Sequence, residues 1–221
     1  MASNLVILHG WGSDLSRWRP LVNQLQATGL KIVLPSLPQD KVRSTADFAG
    51  WLYQKTKTLA PFFLLGHSFG GQVAINFAAR YPKRVEKLIL LASAGVRRPS
   101  WKRRILTPLA KLLRGHVREK TKSLFYRLLL ATDYYRANPQ MRKTMAMILT
   151  EDQQENMLKV KAPTLIIWGS ADRYTPLKDG RLTHQLIKRS HLDVIGGAGH
   201  GLPFTHAGKI KEKILWFIGS N

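Results

Sequence analysis

Between Phe62 and Ala79 the chain reads FFLLGHSFGGQVAINFAA, and no other stretch restricts its fold as strongly. Four apolar residues, Phe62 to Leu65, run directly into Gly66-His67-Ser68-Phe69-Gly70-Gly71, after which Val73, Ala74, Phe77 and Ala78 recur at helical spacing. This order predicts a buried strand, a sharp turn and a helix, with Ser68 at the turn. A serine held between a strand and a helix adopts a strained backbone, and side chains at positions 66 and 70 would collide with the neighbouring strand and helix. The helix that begins beside Ser68 aims its first amides at any negative charge forming there.

The rest of the chain repeats the same alternation. Residues 4–8 (NLVIL) predict a buried strand that delivers His9-Gly10-Trp11-Gly12 at its C-terminal end. Apolar residues at Leu15, Trp18, Leu21, Val22 and Leu25 predict a helix over 15–28, closed by Gly29. A short strand at 31–34 is followed by a helix that Ser44 or Thr45 can cap and that runs to about residue 58. Strands at 85–91, 164–168 and 191–195, a helix over 177–188 and a last amphipathic helix carrying Ile210, Ile214 and Phe217 complete the pattern. The expected architecture is α/β, a mostly parallel sheet of about six strands with helices on both faces.

From residue 95 to 161 no β-like run occurs, and Leu or Ile recurs at helical spacing at 105–113 and 124–129. This segment is expected to form a helical cap inserted into a core built from residues 1–94 and 162–221. It is also where the charge of the chain concentrates. The 221 residues carry 35 Lys and Arg against 13 Asp and Glu, a formal charge of +22, and between Arg97 and Arg127 Glu119 stands alone among basic residues. Such a surface attracts anions of any kind, so charge by itself names no partner. An acidic carrier protein or another anionic interface is the partner expected; specific nucleic-acid binding is not, since no binding motif accompanies the charge.

Other classes are excluded on simple grounds. Cysteine is absent, which removes disulfide and thiolate chemistry. The Gly-rich segments match neither G-x-G-x-x-G nor G-K-[ST], and no metal or flavin site is visible, so no cofactor is expected. The first ten residues have no basic region and only four consecutive apolar residues before His9, and no apolar run approaches the ~20 residues of a membrane span. Neither signal peptide nor membrane span is therefore expected, and a cytoplasmic location follows.

Ser68, Asp172 and His200 each fall just beyond the C-terminal end of an expected strand, the edge of a parallel sheet where loops converge. A serine hydroxyl is a poor nucleophile near neutral pH. It needs a histidine to take its proton, and a buried carboxylate to fix the histidine tautomer and stabilise the imidazolium. Competing candidates fit less well. His67 adjoins Ser68 in a tight turn and points elsewhere; His191 opens a strand; Asp193 lies within a strand and Asp179 within a helix. Ser93 is read as a loop hydroxyl bonded to backbone, and Asp14 as a helix cap.

With these segments assembled, the chain resembles the α/β-hydrolases over nearly its whole length. His9-Gly10-Trp11-Gly12 resembles their oxyanion loop, residues 66–70 their G-x-S-x-G nucleophile turn, residues 169–176 their G-x-x-D-x-x-x-P acid loop, and Gly199-His200 their histidine loop. The resemblance implies Ser68 as nucleophile, His200 as base, Asp172 as acid, and the backbone amides of Trp11 and Phe69 as the oxyanion hole. It implies acyl transfer on a small-molecule ester, and HGWG together with the final segment is similar to small carboxylesterases of the pimeloyl-carrier-protein methyl ester esterase type. A lactonase, a thioesterase or a meta-cleavage C–C hydrolase would use the same triad, and a binder on a hydrolase scaffold is the non-enzymatic alternative. The chain departs from the family pattern in two ways. The antiparallel strands that usually precede the oxyanion loop are missing, leaving the strand at 31–34 as a less protected edge, and the loop 35–43 lacks a P-G-x-G turn.

Overall fold

The computed structural model describes residues 4–97 and 138–220. Its strands are β1 (Asn4–Leu8), β2 (Lys31–Val33), β3 (Phe62–His67), β4 (Val85–Leu91), β5 (Thr164–Gly169) and β6 (Ser190–Ile195). They form one six-stranded sheet in the order β2-β1-β3-β4-β5-β6, and every adjacent pair is parallel. Its helices are α1 (Arg19–Gln26), α2 (Thr45–Thr56), α3 (Phe69–Arg80), α4 (Pro139–Ile148), α5 (Gln154–Lys159), α6 (Leu177–Leu186), α7 (Leu202–Thr205) and α8 (Ala207–Gly219).

Alternation along the strands divides the core into two layers. Val6, Leu8, Leu64, Leu88, Leu90 and Ile166 pack with Phe48 and Leu52 of α2 and with Val73 and Phe77 of α3. Leu5, Ile7, Phe63, Leu65, Ile89 and Ile167 face the other way, onto Leu21 and Leu25 of α1 and Ile210, Ile214 and Phe217 of α8. Because both faces are covered, the central strands read as unbroken apolar runs. Each such side chain, fully buried, contributes roughly 1.5–3 kcal/mol.

Some elements differ from expectation for local reasons. The helix expected over 15–28 is split into a 3-10 turn, Leu15–Trp18, and α1. Pro20 has no amide to donate to Ser16 in an α-helical pattern; the Arg19 amide makes that bond instead, which is the tighter 3-10 spacing. Asp14 caps this turn, accepting from the Ser16 amide at 2.8 Å. Ser44 caps α2 with a reciprocal bond from Asp47, a capping box.

Of the expected insertion, residues 98–137, with the apolar repeats at 105–129 and most of the basic residues, lie outside the described residues. Its described residues, 95–97 and 138–161, are bonded to one another and to the core. Gln72 Nε2 and Arg97 donate to the Ile148 carbonyl at the end of α4, at 3.2 and 3.1 Å. The Thr45 amide donates to Glu151, the Gln153 amide to the Gly95 carbonyl, and Asn76 to the Gln153 side chain. Among the described residues no helix is long and apolar enough to cross a membrane.

The chain passes from β1 outward to β2, then crosses back to β3 on the other side of β1. At such a reversal the loops leaving the two strands separate and open a crevice at their C-terminal ends. In register, Leu8 pairs with Gly66, His67 with Leu91 and Leu91 with Ile167, so the loops after β1, β3, β4 and β5 all leave at one level.

Lys87 fastens the last helix to this sheet. Its ammonium donates to the carbonyls of Phe217 at 2.8 Å, Ile218 at 3.3 Å and Ser220, at the negative end of α8. Lys87→Met keeps the stem and removes the charge; it should lower the melting temperature by about 2–4 °C, the shift expected for ~1 kcal/mol in a chain of this size. Thermal denaturation measures this, and an unchanged midpoint would show that the contact contributes nothing.

Candidate active site

Ser68 joins β3 to α3 with φ 54° and ψ −119°, a left-handed φ that non-glycine residues rarely adopt. Its neighbours make this conformation reachable. A methyl group on Gly66 would lie 2.6 Å from the Gly70 carbonyl oxygen, and one on Gly70 would lie 2.1 Å from that of Leu8. Hydrogen bonds hold the strained residue in place: its amide donates to Leu91 at 3.1 Å, and its carbonyl accepts from Ala94 at 2.9 Å and Gly71 at 3.0 Å.

The structure brings Ser68, His200 and Asp172 together. His200 Nε2 lies 3.0 Å from Ser68 Oγ, and His200 Nδ1 lies 2.8 Å from Asp172 Oδ2. The acid loop and the histidine loop run against each other, the Ala171 amide donating to Ala198 at 2.9 Å and the Gly197 amide to Ser170 Oγ at 2.8 Å. Asp172 also accepts from the amides of Tyr174 (2.8 Å) and Thr175 (3.0 Å) and from Thr175 Oγ1 (2.9 Å). Burial opposes ionisation of this carboxyl, but the hydrogen bonds from His200 and Thr175 outweigh it and hold it below the usual carboxylate range. An imidazole between a carboxylate and a hydroxyl can take the hydroxyl proton while the carboxylate stabilises the charge formed.

Thr175 was not singled out by the sequence, although its place three residues after Asp172 is the spacing at which an aspartate side chain bonds back to its own loop. Its hydroxyl lies 3.1 Å from the Ala92 carbonyl and 3.2 Å from His200 Nδ1, and its carbonyl accepts from the buried Trp168 indole at 2.6 Å. Ala92, with φ 42°, is the other non-glycine residue with positive φ among those described.

The rings of Trp11 and Phe69 meet edge to face at 5.2 Å. Neither amide donates in the turn and loop hydrogen bonds of the described residues. Gly10 is so near that a methyl group there would stand 3.2 Å from Ser68 Cβ. His9 shapes this loop. Its Nε2 accepts from the Leu37 amide at 3.4 Å, so Nδ1 carries the proton and donates to the Gly10 carbonyl at 2.7 Å; burial keeps its pKa below the ordinary histidine value. The Gly10 carbonyl belongs to the same peptide plane as the Trp11 amide, so this bond orients that amide. A shallow, mainly apolar depression lies beside the loop, lined by Trp11, Leu37, Phe48 and Met141 among others.

The rejected candidates are occupied elsewhere. Asp193 pairs with Lys213, His191 packs on Trp216, and Ser93 Oγ donates to the Ala94 carbonyl at 2.8 Å. Among the described residues no group of three or more His, Cys, Asp or Glu side chains is placed to share a metal ion.

His67 is fully buried, and desolvation, with the nearby His200 adding to it, lowers its pKa from 6.5 to about 3. Between these values the unfolded chain binds a proton that the fold refuses. The neutral ring therefore costs nothing above pH 6.5, and stability is lost as pH falls toward 3, by up to about 1.4 kcal/mol per pH unit. His67→Gln should flatten the pH dependence of urea unfolding by up to one proton between pH 4 and 6. An unaltered slope would mean that the folded protein protonates His67.

The profile of the alpha/beta hydrolase family matches residues 5–212. The chain is 28% identical to the 2-hydroxy-6-oxononadienedioate/2-hydroxy-6-oxononatrienedioate hydrolase of Paraburkholderia phymatum, over 97% of this chain and 86% of that protein. It is 26% identical to the pimeloyl-[acyl-carrier protein] methyl ester esterase of Aeromonas salmonicida, over 98% and 95%. Among solved structures, the enol-lactonase from Burkholderia xenovorans LB400 superposes with a TM-score of 0.76 at 20% identity, covering all of this chain and 92% of the other. Sheet order, the strained serine turn and the family match along most of the chain agree: this protein belongs to the alpha/beta hydrolase family.

Proposed function

We propose that the protein is a serine carboxylesterase that hydrolyses small to medium carboxylic esters through an acyl-enzyme on Ser68. The observation that carries the reading is the continuous contact from Ser68 Oγ through His200 to Asp172, with legs of 3.0 and 2.8 Å, at a serine held in strained backbone. Ser68 Oγ attacks the ester carbonyl carbon as its proton passes to His200 Nε2. The carbonyl oxygen takes the negative charge and binds the amides of Trp11 and Phe69, aided by the N-terminal end of α3. Collapse breaks the bond to the alkoxy oxygen, which leaves with the proton from His200. Water then adds to the acyl carbon, giving its proton to His200, and the acid departs as Ser68 recovers its hydrogen.

The segment 95–161 acts in this reading as a cap over the crevice, and its basic residues draw in a substrate or carrier bearing negative charge. Both curated relatives support an anionic substrate. One acts on a dienedioate and the other on an ester borne by an acyl-carrier protein. C–C bond hydrolysis of a dienedioate is the second reading, favoured by the first of these relatives and served by the same three residues.

The test is a panel of neutral p-nitrophenyl esters of rising chain length, an ester with a terminal carboxylate, a lactone and a dienedioate, assayed from 0.05 to 1 M salt. Ester turnover should dominate, and Ser68→Ala should lower it by at least about three powers of ten. Efficiency on the anionic ester should fall with salt more steeply than on the neutral one, because the screening length shrinks from about 10 Å at 0.1 M to about 3 Å at 1 M. The difference should vanish in a variant with Arg98, Arg103 and Arg104 changed to Gln; Arg97 is spared because it holds the end of α4. Undiminished ester turnover in Ser68→Ala would defeat the proposal, and equal salt responses would remove the steering role of the basic segment.

A further inference from the structure

We infer that His67 is a positioning residue for His200, holding the backbone of the general base while its neighbour Ser68 engages the ring. This inference rests on the catalytic reading of Ser68, His200 and Asp172 proposed above. His67 Nε2 lies 3.0 Å from the His200 carbonyl oxygen, and Ser68 Oγ lies 3.0 Å from His200 Nε2. Two consecutive residues of one rigid turn thus grip opposite ends of the same residue. A single contact to the ring would leave it free to pivot; a second, at the carbonyl, fixes the start of the side chain relative to Ser68 Oγ.

The chemistry of the His67 ring supports a role beyond filling space. A nitrogen facing a carbonyl must carry the proton, so Nε2 is the donor and Nδ1 the bare acceptor. That Nδ1 is buried and has no hydrogen-bond partner among the described residues. Leaving a buried acceptor unsatisfied costs free energy, whereas a phenyl ring would fill the same space without that cost. The walls would suit such a ring: Trp18 and Phe204 stand edge-on at 5.9 and 5.8 Å. Packing alone would favour phenylalanine, and what histidine adds is the Nε2 hydrogen bond.

The placement follows from the strand. His67 ends β3 on the same face as Phe63 and Leu65, the face covered by α1 and α8, so its side chain goes below the sheet edge while Ser68 turns up into the crevice. There it meets the loop that climbs from β6 to His200. The His67 ring lies 5.1 Å from that of His200, and the exposed Tyr174 ring lies 5.2 Å from it. The imidazole that moves the proton is therefore bounded by Asp172, Thr175, Tyr174 and His67, and His67 is the one of these that also bonds to the His200 main chain.

His67→Phe, which keeps ring volume without a donor, and His67→Gln, whose amide reaches a similar point, separate the roles. With p-nitrophenyl acetate, His67→Phe should lower kcat by about 10–100-fold with KM changed less than about threefold, since misplacing a catalytic group by an ångström costs about that much. His67→Gln should recover kcat to within about threefold of the parent. The low-field proton resonance of His200 Nδ1 should shift or broaden in His67→Phe and be retained in His67→Gln. Parental kcat with an unmoved resonance in His67→Phe would overturn the inference, as would a folded His67→Gln as slow as His67→Phe. Should Ser68→Ala, run in parallel, keep parental activity, the catalytic reading fails, and the resonance alone decides whether His67 positions His200.

Discussion

The first turn of α3 passes so close beneath the end of β1 that position 70 has room for hydrogen and nothing larger; a methyl carbon there would approach the Leu8 carbonyl oxygen to 2.1 Å. This contact sets the position of the crevice. It presses the serine turn against the loop that leaves β1, so Gly10 and Trp11 lie beside Ser68 and Phe69. A larger residue at 66 or 70 would push α3 away from the sheet, and the strained φ of Ser68, which depends on α3 starting where it does, would relax. The cost of that strain, of order 1–3 kcal/mol, is offset by the apolar layers that α3 joins on one face of the sheet.

Around this fixed turn the polar groups are sorted by burial. Among the described residues, three histidines surround the crevice. His9 and His67 are buried with lowered pKa values and act through their tautomers, each donating to one backbone carbonyl, of Gly10 and of His200. His200 differs from both in touching a carboxylate and a hydroxyl, and in being partly open to solvent. Two buried rings thus hold peptide groups beside Ser68 and His200, leaving one ring joined to the Asp172 carboxylate.

Much of this organisation could be read from the residues. Strands buried on both faces leave unbroken apolar runs, and β1, β4 and β5 were legible for that reason. The convergence of Ser68, Asp172 and His200 was legible because each follows a strand of a parallel sheet. Contacts between distant segments were not. Nothing near His67 indicates that its partner is a carbonyl 133 residues away, and nothing near Thr175 points to the Ala92 carbonyl, which is available because that backbone turns left-handed. Pro20 could have forecast the split of the first helix, since the missing amide is a local property. The bonds that tie α4 and α5 to α2 and α3 run through Gln72, Asn76, Arg97 and Glu151, polar residues whose pattern resembles that of any solvated helix or loop until the fold is known.

In the proposed reaction Ser68 becomes acylated with its oxyanion held by the amides of Trp11 and Phe69. A crystal structure of the protein after treatment with a p-nitrophenyl alkylphosphonate tests it most directly, because the bound phosphonyl group reproduces the tetrahedral charge. The expected result is a covalent bond from phosphorus to Ser68 Oγ, with a phosphonyl oxygen at about 2.7–3.1 Å from both amides, the range of an oxyanion donor, and with the His200 ring still bonded to Asp172. A protein that remains unmodified at Ser68, or an adduct whose oxygen turns away from both amides, would contradict it.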